Sequence, residues 1–166
     1  QRMETPLGTM LALADDQGLR LLEFTDRRGL ERELVVLRQR LKCAILPGTN
    51  AVLTETQRQL TRYFSGESLE FDLPLAPVGS DFQRRVWAEL QRIPAGRTRS
   101  YTEMATRVGV ANGRRAIARA NGSNMLALVI PCHRVIRADG NLCGYAGGNW
   151  RKQRLIEHER KYAKAG

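Results

Sequence analysis

The sequence predicts two units in series: a small α/β domain over residues 1–79, then a mainly α, winged-helix-like helix-turn-helix domain over residues 80–166. Three observations carry that division. Apolar, β-compatible runs mix with helical patterns in the first half. Two capping boxes open helices of clear apolar spacing in the second half. The charge splits at the same place: residues 1–80 hold ten basic and eleven acidic side chains, whereas residues 81–166 hold seventeen and six, a net of +11.

PLGTMLALA and LRLLEF are the first apolar runs, and DDQG between them reads as a hairpin connection. GLERELVVLRQRL follows as a helix. A short KCAIL run then ends at Pro47-Gly48, with Cys43 expected as a core thiol. A second helix is predicted from about Leu53 to Phe64, stopping near Gly66, and LEFDLPL is predicted as one more strand. APVGS, residues 76–80, reads as the linker. No catalytic constellation stands out in this half.

Ser80-Asp-Phe-Gln83 is a capping box, followed by Phe82, Val86, Leu90 and Ile93 at helical spacing. IPAG closes that helix. Ser100-Tyr-Thr-Glu103 is a second box, opening a helix with Tyr101, Met104, Ala105 and Val108 on one face. Gly109 punctuates, and Asn112 is expected to cap a third helix, GRRAIARA. Two short helices about a glycine-containing turn make a helix-turn-helix pattern. The third helix would be the reader, with Arg115 and Arg119 on one face and small residues elsewhere that allow close approach to a groove. A solvated basic helix explains the same segment. MLALVI is predicted as a buried strand running into Pro131-Cys132-His133-Arg134, and Asp139-Gly140 as a tight turn. A last helix, from about Trp150 to Tyr162, puts Leu155, Ile156 and Glu159 on one face.

Net charge is +10, and 23 of the 27 basic residues are arginine, whose planar fork suits phosphate. The basic half points to a polyanion, nucleic acid ahead of an anionic membrane surface. No apolar stretch approaches the roughly 20 residues needed to cross a bilayer. No secretory apolar region opens the chain, so an intracellular, cytoplasmic setting is the default. Three cysteines without dense spacing suit a reducing compartment. With no C-x-x-C pair and no H-x-x-x-H, no metal site is expected.

The chain has only two histidines, and one stands beside a cysteine in VIPCHRV. An acid on the apolar face of the last helix needs a partner. Cysteine, histidine and such an acid are the parts of an activated thiolate. Neighbours on an extended strand point to opposite faces, so Cys132 and His133 meet only if Pro131 bends the chain or a water carries the proton. On spacing alone, a structural cysteine explains Cys132 as well as a nucleophile does.

IPCHRVI, with SYTEMA upstream, GRRAIARANGSN between, and GYAGG, a lysine and HE downstream, closely resembles the O6-alkylguanine-DNA alkyltransferases. The resemblance is dense over about residues 80–160 and loose before them. Related alkyltransferase-like proteins, which bind damaged DNA without repairing it, lack the cysteine that stands here at position 132. The resemblance implies a ribonuclease-H-like first domain and a monomer acting on double-stranded DNA. Its reaction is a single irreversible transfer of an alkyl group, typically methyl, from guanine O6 (or thymine O4) to cysteine. It implies Cys132 as acceptor, His133 as the base working through a water, and Glu159 as the group that orients His133. Tyr101 would help expel and hold the damaged base, Arg115 would fill the vacated place in the duplex, and Asn124 would be the hinge after the reading helix. Arg114, Arg119 and Ser100 would add DNA contacts. Val135, Tyr145 and Ala146 would line the guanine pocket, Ala146 standing where some relatives have serine. Lys152 matches a family lysine. Neither a metal nor an organic cofactor is called for.

Two other classes stay open on the residues. A non-catalytic helix-turn-helix regulator would use the basic half and leave Cys132 as packing, but it does not explain the acid beside the Cys-His pair. A cysteine hydrolase would use Cys132, His133 and Glu159, but it does not explain the charge.

Overall fold

Met10–Asp15 (β2) and Gly18–Phe24 (β3) form the expected antiparallel hairpin, and Arg2–Met3 (β1) adds a short third strand. The computed structural model describes residues 1–142 and 144–163. At the hairpin Gly18 has φ 133°, and a Cβ there would stand 2.4 Å from Pro74 O, so glycine alone fits. β3 is buried on both faces. Leu21 packs with Leu34, Leu37 and Leu41 of α1 (Leu30–Leu41). Leu22 and Phe24 join Leu60 and Tyr63 of α2 (Ala51–Ser65) and the core of the C-terminal half. Asn50 caps α2, accepting from Leu53 N, so the helix begins two residues before the position expected.

Two expectations fail in this half. LEFDLPL is not a strand: it makes one isolated bridge, Leu19 with Leu75. The Gln59 amide takes both backbone groups of Asp72, which removes them from any ladder. Cys43 is exposed rather than a core thiol. Lys42 turns out of α1 in a left-handed conformation, and the run after it has no regular structure.

Both capping boxes form as read, each satisfying two backbone N–H groups otherwise left open and each worth about 1 kcal/mol. They start α3 (Asp81–Gln91) and α4 (Tyr101–Val108). α5 (Arg114–Gly122) follows, but Asn112 does not cap it. The N-cap is Gly113, in a turn closed by Gly113 N on Val110 O at 2.6 Å, which leaves Asn112 one position early. MLALVI is buried throughout but is not a strand. Only Met125 and Ala127 pair with Leu22, and Asn124 then curls the segment by bonding Leu126 N at 3.0 Å and Ile130 O at 2.8 Å. Val135–Ile136 (β5) pairs in parallel with Arg99–Ser100 (β4), Arg137–Gly140 forms the expected turn, and α6 (Asn149–Ala163) ends the described chain. No helix among the described residues is long and apolar enough to cross a membrane.

Candidate active site

Pro131 bends the chain, and Cys132–Arg134 form one 3-10 turn. The turn sends adjacent side chains different ways. Cys132 faces a narrow cleft walled by Glu23, Arg27, Asn121, Asn124, Tyr145 and Ala146. His133 is fully buried and runs to α6, where its Nε2 lies 2.7 Å from Glu159 Oε1.

Glu159 is a hub. It accepts from Arg134 Nε and Nη2, both at 2.9 Å, from the Tyr63 hydroxyl at 2.9 Å and from Gly96 N at 3.1 Å. Burial alone would raise its pKa. The charges and hydrogen bonds of His133 and Arg134 outweigh burial and hold the carboxyl well below the usual range. With the carboxylate ionised, His133 donates from Nε2 and keeps the lone pair on Nδ1. That Nδ1 is buried with no hydrogen-bond partner among the described residues. Burial lowers the His133 pKa despite the pull of Glu159, so the ring is neutral near pH 7.

Burial also pushes the Cys132 thiol up to about 11, against the Asn124 hydrogen bond and the Arg27 and Lys152 charges. The resting group is therefore a thiol, where the sequence suggested a thiolate made ready by its histidine. A resting thiol must give up its proton before or as the new bond forms, which calls for a base such as a neutral imidazole.

Of the other expected residues, Asn124, Tyr145 and Ala146 line the same cleft as Cys132. Asn124 is buried, and its side chain bends the segment after α5. Tyr101 opens α4, and a Cβ built on Gly144 would stand 3.6 Å from its hydroxyl oxygen. Lys152 is fully buried on α6, with Nζ 6.0 Å from the Tyr101 ring centroid. Val135 is buried directly after the turn, the Tyr145 hydroxyl is buried, and Ala146 is exposed on the rim. Arg114, Arg115 and Arg119 are exposed on α5. The Ser100 oxygen is taken up in capping α4, where it accepts from Glu103 N.

The ribonuclease-like domain of the 6-O-methylguanine DNA methyltransferases matches residues 2–77, and the DNA binding domain of the same family matches residues 81–161. The chain belongs to this family. A methylated-DNA–protein-cysteine methyltransferase of Methanosarcina barkeri is 41% identical over 157 residues, 95% of this chain and 94% of that protein. One from Mycolicibacterium paratuberculosis is 54% identical over 107 residues, 64% of this chain and 65%, just under two thirds, of that relative. The Mycobacterium tuberculosis O6-methylguanine methyltransferase structure superposes with a TM-score of 0.83 at 38% identity, covering 99% of this chain and 94% of that one. A M. tuberculosis OGT solved in complex with DNA gives 0.84 at 35% identity, covering 97% and 92%.

The Cys132 cleft and the contacts of Glu159 also draw on residues that the sequence did not single out. The N-terminal half, which showed no catalytic constellation, supplies Glu23 and Arg27 to the Cys132 cleft and Tyr63 to Glu159. Asn121 Nδ2 donates to Cys132 O at 3.2 Å. Glu23 was detectable: an acid inside the apolar run LRLLEF needs a partner for the same reason as Glu159.

Proposed function

We propose that this chain repairs DNA by direct reversal, moving the alkyl group of an O6-alkylguanine in duplex DNA onto Sγ of Cys132, once per molecule. The observation that carries the reading is Cys132 in its cleft, next in sequence to a histidine whose tautomer Glu159 fixes, in a chain with a basic helix-turn-helix unit. The base must leave the helix, since its O6 substituent cannot otherwise reach a thiol in a cleft. Arg114 and Arg119 hold the backbone, Ser100 adds a contact, and Arg115 occupies the gap. Tyr101, Val135, Tyr145 and Ala146 surround the flipped guanine, and Asn124 keeps the hinge between reader and turn.

In the chemical step the S–C bond forms as the C–O6 bond breaks. The thiol proton passes through a water to His133 Nδ1, and the departing guanine anion takes one proton in return, from solvent or from that imidazolium, so that thiol and alkylguanine become thioether and guanine. Glu159 holds the resulting imidazolium. Lys152 contributes positive charge against the developing thiolate. Residues 1–79 and 80–166 act as the two domains of a monomer. A reduced thiol acting on duplex DNA belongs in a reducing compartment, the cytoplasm. The test is intact-mass and peptide analysis after mixing with a duplex bearing one O6-methylguanine. One methyl group on Cys132 is expected, and an unmodified Cys132 with intact lesion would defeat the reading.

A further inference from the structure

Two consecutive residues of the N-terminal half reach two separate segments that line the Cys132 cleft. At one, Arg27 Nη1 donates to Asn124 O and Nη2 to Gly122 O, both at 3.0 Å, across the segment that links α5 to the turn bearing the cysteine. Toward the other, Asp26 holds Arg151 through both carboxylate oxygens, at 2.8 and 2.9 Å. Arg151 in turn donates to Gly147 O at 2.9 Å and to Leu7 O at 2.8 Å, with its guanidinium 4.2 Å from the Phe24 ring centroid. Gly122, Asn124 and Gly147 all line the cleft. Both of these lining segments are thus tied to one dipeptide, Asp26-Arg27.

We infer that Arg27, with the Asp26–Arg151 pair as its counterpart, is a positioning residue for alkyl transfer, setting the cleft width in which Cys132 Sγ meets the alkyl carbon. This rests on Cys132 being the alkyl acceptor. Displacement at carbon requires sulfur, carbon and departing oxygen in line, and small errors in that alignment are costly. The N-terminal half then serves the chemistry directly, through hydrogen bonds to backbone carbonyls that any sequence at 122–124 would present. The competing role for Arg27 is as counter-ion for Glu23 and Glu33, both of which it contacts. Burial raises Glu23 to about 8, which lessens its demand on a counter-ion at neutral pH, whereas Glu33, raised by burial to about 6, is ionised there and keeps that demand.

The triple variant Arg27→Met/Glu23→Gln/Glu33→Gln separates the two roles, because it removes the fork together with both acids it contacts. Its single-turnover rate at saturating O6-methylguanine duplex should fall about 10- to 100-fold. Its melting temperature should stay near the parent's, and its rate–pH midpoint should not move. Arg27→Lys keeps the charge, but one ammonium cannot hold both carbonyls, so it too should be slowed, by about tenfold. Parent-like rates in either variant would overturn the inference. So would a loss accounted for wholly by a shifted pH midpoint, which would make the role electrostatic. Failure of the parent itself to alkylate Cys132 would instead strike the reading on which the inference rests.

Discussion

The 2.7 Å contact between His133 Nε2 and Glu159 Oε1 decides which imidazole nitrogen is the base. Because Arg134, Tyr63 and Gly96 also donate to Glu159, the carboxylate has no proton of its own to offer. His133 must donate, and Nδ1 is left to accept.

Replacing Glu159 by glutamine tests this directly. An amide NH2 facing Nε2 would favour the opposite tautomer and put the proton on Nδ1. Transfer should slow about 100-fold or more, while affinity for duplex DNA stays within about twofold. Single-turnover rates and DNA titrations on the same preparation check both. A parallel melting curve is needed, since losing the acid leaves Arg134 buried without its counter-ion, at about 3–5 kcal/mol. An unchanged limiting rate would mean that Nδ1 is not the base.

Glu23 makes a pH prediction of definite sign. Burial raises it to about 8, Arg27 pulls it down and Glu33 pushes it up, against an ordinary value of 4.5. Between those values the folded chain keeps a proton that the unfolded chain has lost. The stability this group contributes is complete below its unfolded pKa and is lost as pH rises through its folded one. Relative to the parent, Glu23→Gln should therefore gain melting temperature between about pH 5 and about pH 8.5. A constant offset at both ends would show that Glu23 is already ionised in the fold.

What the sequence revealed, and what it hid, divides by range. Ser80 with Gln83 and Ser100 with Glu103 were legible because a cap is settled within four residues. Cys132, His133 and Glu159 stood out because the residue types are rare or misplaced for their surroundings. MLALVI looked like a strand because burial was read correctly and conformation was not: the Asn124 side chain bends it. LEFDLPL failed for the same kind of reason, through Gln59, thirteen residues away from Asp72 in sequence. Arg27 was invisible because its partners, Gly122 and Asn124, lie 95 and 97 residues further on.

DNA binding should be tolerant of sequence and should weaken steeply with salt, because exposed arginines displace condensed counterions. Arg115→Ala should slow repair in duplex DNA by about tenfold or more, yet react with free O6-alkylguanine base nearly as the parent does. The base alone has no helix to leave. Equal losses on both substrates would place Arg115 in the pocket or in folding, and an affinity flat from low to moderate salt would refute the charge argument.

Stoichiometry separates alkyl transfer from every rival reading. Attack of Cys132 on an alkyl carbon leaves a thioether, which has no carbonyl to invite water, unlike the thioester of a cysteine hydrolase. Repaired guanine should rise to one equivalent of protein and stop, however much alkylated duplex remains. The alkyl group should be found on Cys132. Cys43 is the more accessible thiol, exposed to solvent, but it sits outside the cleft and has no histidine relay, so it should stay unmodified. Cys143, outside the described residues, follows the signature closely in sequence and is the sharper control; it should stay unmodified too. Cys132→Ser should bind DNA and release no guanine, because a hydroxyl is far harder to ionise than a thiol and His133 Nδ1 is a weak, neutral base. A regulator would yield no alkylated protein at all, and a hydrolase would turn over. Product beyond one equivalent, or an alkyl group on Cys43 or Cys143 with Cys132 unmodified, would overturn the assignment.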